Sequence, residues 1–211
     1  AADKGELNAM NNYAMMLLNG SGIPKNAKEA FNYLKRAADQ GNENAIYIYG
    51  INLMRGEDIQ ENLEEAAKYL KKSADLFNVN AMLFYGEMLI NGDGVKINVV
   101  EGLDYIKRSA DQGCVIAMFS YAVHLFKGED IQTNKKEAGR YFKMAANQGH
   151  GEAAFWYARM LYYGNGIPQD KKEAQKYFKI GGDNGFLPAM FFYTLTLFHG
   201  LENETVLKLH N

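Results

Sequence analysis

The chain has 211 residues, 47% of them hydrophobic and 23% charged, with three prolines, one cysteine and a net charge of −2. This balance excludes a disordered chain, which needs low hydrophobicity and high net charge, and a disulfide framework, which needs cysteines in pairs. It also argues against nucleic-acid binding, which calls for a basic stripe, and against membrane insertion, since no apolar run approaches the roughly 18 residues of a spanning helix.

From Ala1 onward the pattern repeats every 36 residues without a gap, over 1–36, 37–72, 73–108, 109–144 and 145–180, with a partial sixth copy at 181–211. Self-similarity at such a period is the signature of a solenoid, so a single repeat domain over 1–211 is expected. Ala1-Ala2-Asp3-Lys4-Gly5 matches the end of a second helix, and the chain is therefore expected to be a piece of a longer one.

The ninth position of each repeat is Ala9, Ala45, Ala81, Ala117, Ala153 or Ala189. Four residues on stands a tyrosine (Tyr13, Tyr49, Tyr85, Tyr121, Tyr157, Tyr193), and four further a leucine (Leu17, Leu53, Leu89, Leu125, Leu161, Leu197). That spacing lies on one face of a helix. The glycine that follows (Gly20, Gly56, Gly92, Gly128, Gly164, Gly200) is expected to close it in the left-handed region.

A second helix starts at Asn26, Asn62, Asn98, Asn134 or Asp170, with Glu29, Glu65, Glu101, Glu137 or Glu173 three residues on, the spacing of a capping box. It carries Tyr33, Tyr69, Tyr105, Tyr141 or Tyr177 and has Lys35, Lys71, Lys107, Lys143 or Lys179 in its last turns, where positive charge suits the helix dipole. It ends at glycine in every copy but one, where Phe77 stands. A bulky residue at positive φ costs roughly 1–2 kcal/mol, so that helix is expected to end differently, with Leu76 and Phe77 packed.

The motif A-x3-Y-[AG]-x2-L-x2-G, then [ND]-x2-E-[AG]-x2-Y, then [AS]-A-[DN]-x-G resembles the Sel-one-like repeat family, short relatives of tetratricopeptide repeats, over essentially the whole chain. The resemblance implies an all-α, right-handed superhelical solenoid of paired antiparallel helices that serves as a protein–protein adaptor, and it implies no reaction and no cofactor. Repeats two and four depart from it, reading Gly56-Glu57-Asp58-Ile59-Gln60 and Gly128-Glu129-Asp130-Ile131-Gln132 in the loop. One branch of that family is disulfide-stapled and secreted, and a chain whose only cysteine is Cys114 does not fit it. A cytoplasmic setting is expected; the sequons at Asn19-Gly20-Ser21 and Asn203-Glu204-Thr205 would favour a secretory lumen instead.

Chemistry finds little footing. Cys114 and His150 share a column in adjacent repeats, about 10 Å apart on the scale of packed helices, and two such donors do not make a zinc site. His124, His199 and His210 read as solvated or packed imidazoles. The paired acids of the variant loops lack calcium-loop spacing, and the Gly-x-Gly loops lack the preceding strand that a phosphate site needs.

What remains is the face of the first helices opposite the tyrosine–leucine stripe, at repeat positions 8, 12, 15 and 19 with 11 beside them. In a stack this face lines the concave groove. It carries Asn8, Asn44, Asn80 and Asn91 for a ligand's backbone, Ile48, Ile51, Phe84, Val123 and Trp156 for its apolar groups, and Arg55, Lys127 and Arg159 for its acids, with Glu87, Glu152 and Tyr163 among them. The alternative is that superhelical curvature buries these side chains. An adaptor binding a peptide or partner helix in this groove is expected. The other functional expectation is a platform that oligomerises or docks a neighbouring domain through the aromatic sixth copy, with Phe186, Phe191, Phe192 and Phe198. An enzyme is not expected.

Overall fold

The computed structural model describes the backbone of residues 2–209 and the side chains of residues 5–198. Among these residues there are eleven helices and no strand: α1 (Ala2–Asn19), α2 (Ala27–Asp39), α3 (Glu43–Arg55), α4 (Leu63–Asp75), α5 (Val79–Asn91), α6 (Val99–Asp111), α7 (Val115–Lys127), α8 (Lys135–Asn147), α9 (Gly151–Tyr163), α10 (Lys171–Asp183) and α11 (Leu187–Leu209). Odd-numbered helices are the first helices of the repeats and even-numbered ones the second. They form two compact halves that meet in sequence at Gln112 and Gly113, and within each half every helix packs on the next. The architecture is an all-α solenoid repeat.

The repeated columns explain the packing. The alanine column is fully buried from Ala45 to Ala189, and Leu17, Leu53, Leu89, Leu125 and Leu161 are all at most 5% exposed. Burying one such leucine contributes about 1.5–3 kcal/mol. The two tyrosine columns meet edge-on: Tyr13 with Tyr33, Tyr49 with Tyr69, Tyr85 with Tyr105, Tyr121 with Tyr141 and Tyr157 with Tyr177, at centroid distances from 4.6 to 5.2 Å. The ring quadrupoles favour this T-shape, which fixes the angle between the two helices of a repeat as well as their contact. The second tyrosine then ties its helix to the end of the preceding second helix, as Tyr105 on α6 donates to Asp75 on α4 at 3.2 Å and Tyr177 on α10 to Asn147 on α8 at 3.0 Å.

Capping follows the sequence, with one change in the second half of the box. The side chains of Asn26, Asn62, Asn98, Asn134 and Asp170 accept from the backbone N–H of the glutamate three residues on, at 2.8–3.3 Å. The cap residue's own N–H, which a full capping box gives to that glutamate, instead donates to the leucine carbonyl ending the previous helix: Asn26 to Leu17, Asn62 to Leu53, Asn98 to Leu89, Asn134 to Leu125 and Asp170 to Leu161. A backbone bond therefore closes the loop between the helices in every one of these repeats. The first helices are capped too, by Asn42, Asn78 and His150, each accepting from an alanine N–H, while Cys114 in the same column makes no side-chain cap bond.

Two expectations fail. Phe77 does adopt the left-handed conformation, at φ 63°, and its helix ends as its neighbours do. Its N–H donates to Ala74 and that of Asn78 to Ser73, matching the bonds of Gly41 to Ala38 and Asn42 to Ala37. Leu76 and Phe77 are 44% and 70% exposed rather than packed. The two capping bonds, with the asparagine cap that follows, over-determine the turn and outweigh the strain of the ring-bearing residue. Gly200, in turn, does not close its helix, because α11 runs on to Leu209.

Candidate functional site

The face expected to bind is set by how deeply each column sinks between neighbouring helices. At position 11, Asn11, Leu83 and Phe155 belong to the core at 7%, 1% and 8% exposure, Tyr47 and Phe119 are half-buried, and Phe191 is exposed. Ile51 is also buried, at 7%, and offers a ligand nothing, because it packs in the core of the first half. Ile48, Phe84, Glu87, Val123, Glu152, Trp156 and Arg159 are half-buried, and Asn8, Asn44, Arg55, Asn80, Asn91, Lys127 and Tyr163 are exposed. Within each half the face thus has half-buried walls and polar edges.

In the first half, Asn8 accepts from Asn42 at 2.9 Å, and both line a shallow cavity of about 440 Å³ with Leu7, Gln40, Gly41, Glu43 and Asn44. Asn91 donates to Asp93 at 3.2 Å, so part of its capacity is used within the chain. Ile48 and Phe84 lean on the core from the outside.

The second half gathers the aromatic residues. Trp156 on α9 lies 5.7 Å from Phe126 and stacks at 6.4 Å on Phe142, and its Nε1 donates to Glu152 at 3.3 Å. The Arg159 guanidinium sits 5.0 Å from the Trp156 ring and 5.6 Å from that of Phe155. Arg159 makes no ion pair with a described carboxylate, in contrast to Arg140, which Glu137 holds at 2.7 Å. Phe126, Trp156, Arg159, Met160, Tyr163 and Asn165 enclose a pocket of about 260 Å³. Lys135 stands at its margin, donating to Asn165 at 2.9 Å and lying 5.6 Å from the Phe126 ring. Aromatic walls, one unpaired guanidinium and an exposed tyrosine, 60% accessible, suit an apolar group beside an acidic one.

Phe126, Met160, Asn165 and Lys135 escaped the sequence reading. The signal for Phe126 was present at position 18, which reads Leu18, Met54, Ile90, Phe126, Tyr162 and Phe198 and is apolar throughout. Asn165 lies in a loop and Lys135 on a second helix, and no periodicity connects them to Trp156.

Elsewhere the variant loops hold their acids within the chain. Asp58 pairs with Lys25 at 3.1 Å, and Asp130 with His124 Nδ1 at 2.7 Å, so His124 has an acidic partner that helical spacing did not reveal. Lys127 comes within 3.9 Å of Glu129. His150 stacks on Phe119 at 4.6 Å, and burial lowers its pKa. No group of three or more His, Cys, Asp or Glu residues that could hold a metal occurs among the described residues, and no described helix is long and apolar enough to cross a membrane. The side chains of His199, Asn203, Thr205 and His210 lie outside the described residues.

The last repeat leaves a second apolar surface. Leu187, Met190, Phe191 and Phe198 on α11 are 49–73% exposed, and Leu197 is 41% exposed where its counterparts in the five preceding repeats are buried.

Comparison with known proteins agrees with this geometry. A family model described as Sel1 repeat matches residues 7–42, 44–76, 79–114, 115–150 and 151–186. The fold is shared with c5321, a protective antigen of uropathogenic Escherichia coli with an SLR fold, at a TM-score of 0.90 and 23% identity; the match covers 95% of this chain and 43% of that one. A Sel1 repeat protein of Oxalobacter formigenes aligns at a TM-score of 0.79 and 28% identity, over 89% of this chain and 74% of its own. The immunity protein Pa5087 of Pseudomonas aeruginosa aligns at 0.53 and 21%, over 87% of this chain and 70% of its own. No curated protein matches the chain. With five matched repeats spanning nearly its whole length, the chain belongs to the Sel1 repeat family, whose fold is a scaffold for protein–protein interaction.

Proposed function

We propose that this chain is a non-catalytic adaptor that binds a peptide or a partner helix on the open face of its first helices. The observation that carries the proposal is the pocket around Trp156, where aromatic walls stand beside a guanidinium that no described carboxylate neutralises. Such a combination matches the usual energetic centre of an interface: a large rigid aromatic group for contact area and an arginine for orientation. Exposed Tyr163 and Lys127 form a polar rim beside this pocket, and in the first half the exposed Asn44 suits the backbone of an extended ligand. Glu152 holds the indole in place through its nitrogen.

The test is a selection of random displayed peptides on the immobilised chain, followed by hydrogen-exchange mapping of the best binder. Protection over α7 and α9 is expected. Protection confined to the second helices would overturn the assignment.

The exposed apolar side chains of α11 favour a second reading, in which the last repeat docks a neighbouring domain or another copy. A mass measurement in solution separates the two, since end-to-end oligomers support docking through α11 and a monomer that still binds selected peptides supports the open face.

A further inference from the structure

Position 15 of the repeat reads Met15, Ile51, Glu87, Val123, Arg159 and Leu195, so in the first half it is apolar except for one acid. Glu87 lies on α5, half-buried, and it forms neither an ion pair nor a hydrogen bond with any described residue. Burial alone acts on its carboxyl, raising its pKa, with no neighbouring charge contributing. Phe84, one turn earlier, is half-buried against the core, and Asn91, one turn later, is exposed. Three other acids of this half are treated differently: Glu65 is held by Lys35 at 2.6 Å, Asp58 by Lys25 at 3.1 Å and Asp75 by Lys71 at 2.8 Å. A partly desolvated carboxylate without a partner is unfavourable, and nothing within the described chain offsets it.

We propose that Glu87 is the receptor for a lysine or arginine side chain of the bound polypeptide, so that the first half takes a segment in which a basic residue stands among apolar ones. This rests on the proposed use of the open face. Charge complementarity fixes the occupant: an ammonium or guanidinium meeting Glu87 makes a charge-assisted hydrogen bond in a site already partly shielded from water, and the Phe84 ring one turn away favours a cation over an acid. The same carboxylate repels phosphate, which counts against nucleic acid or an anionic headgroup here.

The experiment selects random displayed peptides on the wild-type chain, on Glu87→Gln and on Glu87→Lys, with thermal melting to confirm that each variant folds. Wild-type binders should share a lysine or arginine at one fixed position, the best of them should lose affinity about tenfold on Glu87→Gln, and Glu87→Lys should select aspartate or glutamate at that position. Binders without a basic position, or basic binders whose affinity is unchanged on Glu87→Gln, would overturn the role of Glu87 and leave the open face standing. Failure to select any peptide on the wild type would overturn both. Should Glu87→Lys not fold, Glu87→Gln decides alone, since it keeps the shape and removes the charge, leaving one acceptor oxygen in place of two.

Discussion

The N–H of Phe77 donates to the carbonyl of Ala74 at 2.9 Å, the bond that Gly41, Gly149 and Gly185 make to Ala38, Ala146 and Gly182. A phenylalanine thus occupies a glycine's place at φ 63° with its ring 70% exposed, gaining little burial in exchange for backbone strain. Phe77→Gly should therefore stabilise the protein by about 1 kcal/mol, the left-handed penalty less the greater chain entropy of glycine in the unfolded state. Equilibrium denaturation in urea measures this. A destabilised variant would show that the ring contributes more by packing than its exposure indicates.

His150 caps α9 by accepting from the N–H of Ala153 at 3.1 Å through Nδ1, which requires that nitrogen to be unprotonated. Burial lowers its pKa below the usual 6.5, so the folded state disfavours the proton that the unfolded state accepts. The stability tied to the neutral ring is thus fully present above pH 6.5 and is lost as pH falls through the folded pKa. Asparagine caps the equivalent helices at Asn42 and Asn78 and does not titrate. His150→Asn should remove the part of the stability loss that the wild type shows between pH 7 and 5. Identical pH profiles for the two proteins would mean that the cap tolerates protonation.

The fold was legible because its determinants are local and repeated. The alanine, tyrosine and leucine columns mark one helical face, and the asparagine three residues before glutamate marks a helix start, so each copy restates the others. The Phe77 turn was misread because the propensity of one residue was weighed without the two backbone bonds and the asparagine cap around it. Gly200 was misread because its column suggests a cap, whereas the residues after it continue as helix. The open face was only half legible: helical angles place Trp156 and Arg159 together one turn apart, but they do not reveal that Ile51 sinks into the core. Lys135 and Asn165 join the Trp156 pocket through the stacking of successive helices, a relation between distant segments that no single period encodes.

Asn134 Oδ1 accepts from the N–H of Glu137 at 3.1 Å, whereas its own N–H reaches the Leu125 carbonyl at 2.9 Å. Replacing it with alanine removes the first bond and leaves the second, which is a backbone contact. Asn134→Ala should cost about 1 kcal/mol, and in a nearest-neighbour stack the loosening should concentrate in α8 and the helices packed on it, α7 and α9. Hydrogen exchange resolves this. An equal acceleration from α1 to α11 would show that the array opens as one block.

Trp156 and Arg159 should divide the work of binding in a measurable way. The indole is half-buried among Phe126, Phe142 and Phe155, so Trp156→Ala removes both a ligand contact and part of the pocket wall. It should weaken a selected peptide by about 2 kcal/mol or more, roughly 30-fold, while α9 remains helical. Arg159 lies over the indole without a described acidic partner, and Arg159→Ala should chiefly flatten the salt dependence and slow association. The control has to be a cation that no other group uses. Lys143 is unsuitable, since it pairs with Glu173 at 3.2 Å and lies 5.4 Å from the Tyr157 ring, so its loss would disturb the stack itself. Lys176 on α10 is exposed and serves instead. Titration calorimetry at two salt concentrations gives the affinities, and stopped-flow mixing gives the rates. If Lys176→Ala impairs binding and Trp156→Ala does not, the ligand lies on the second helices and the open face is not the site.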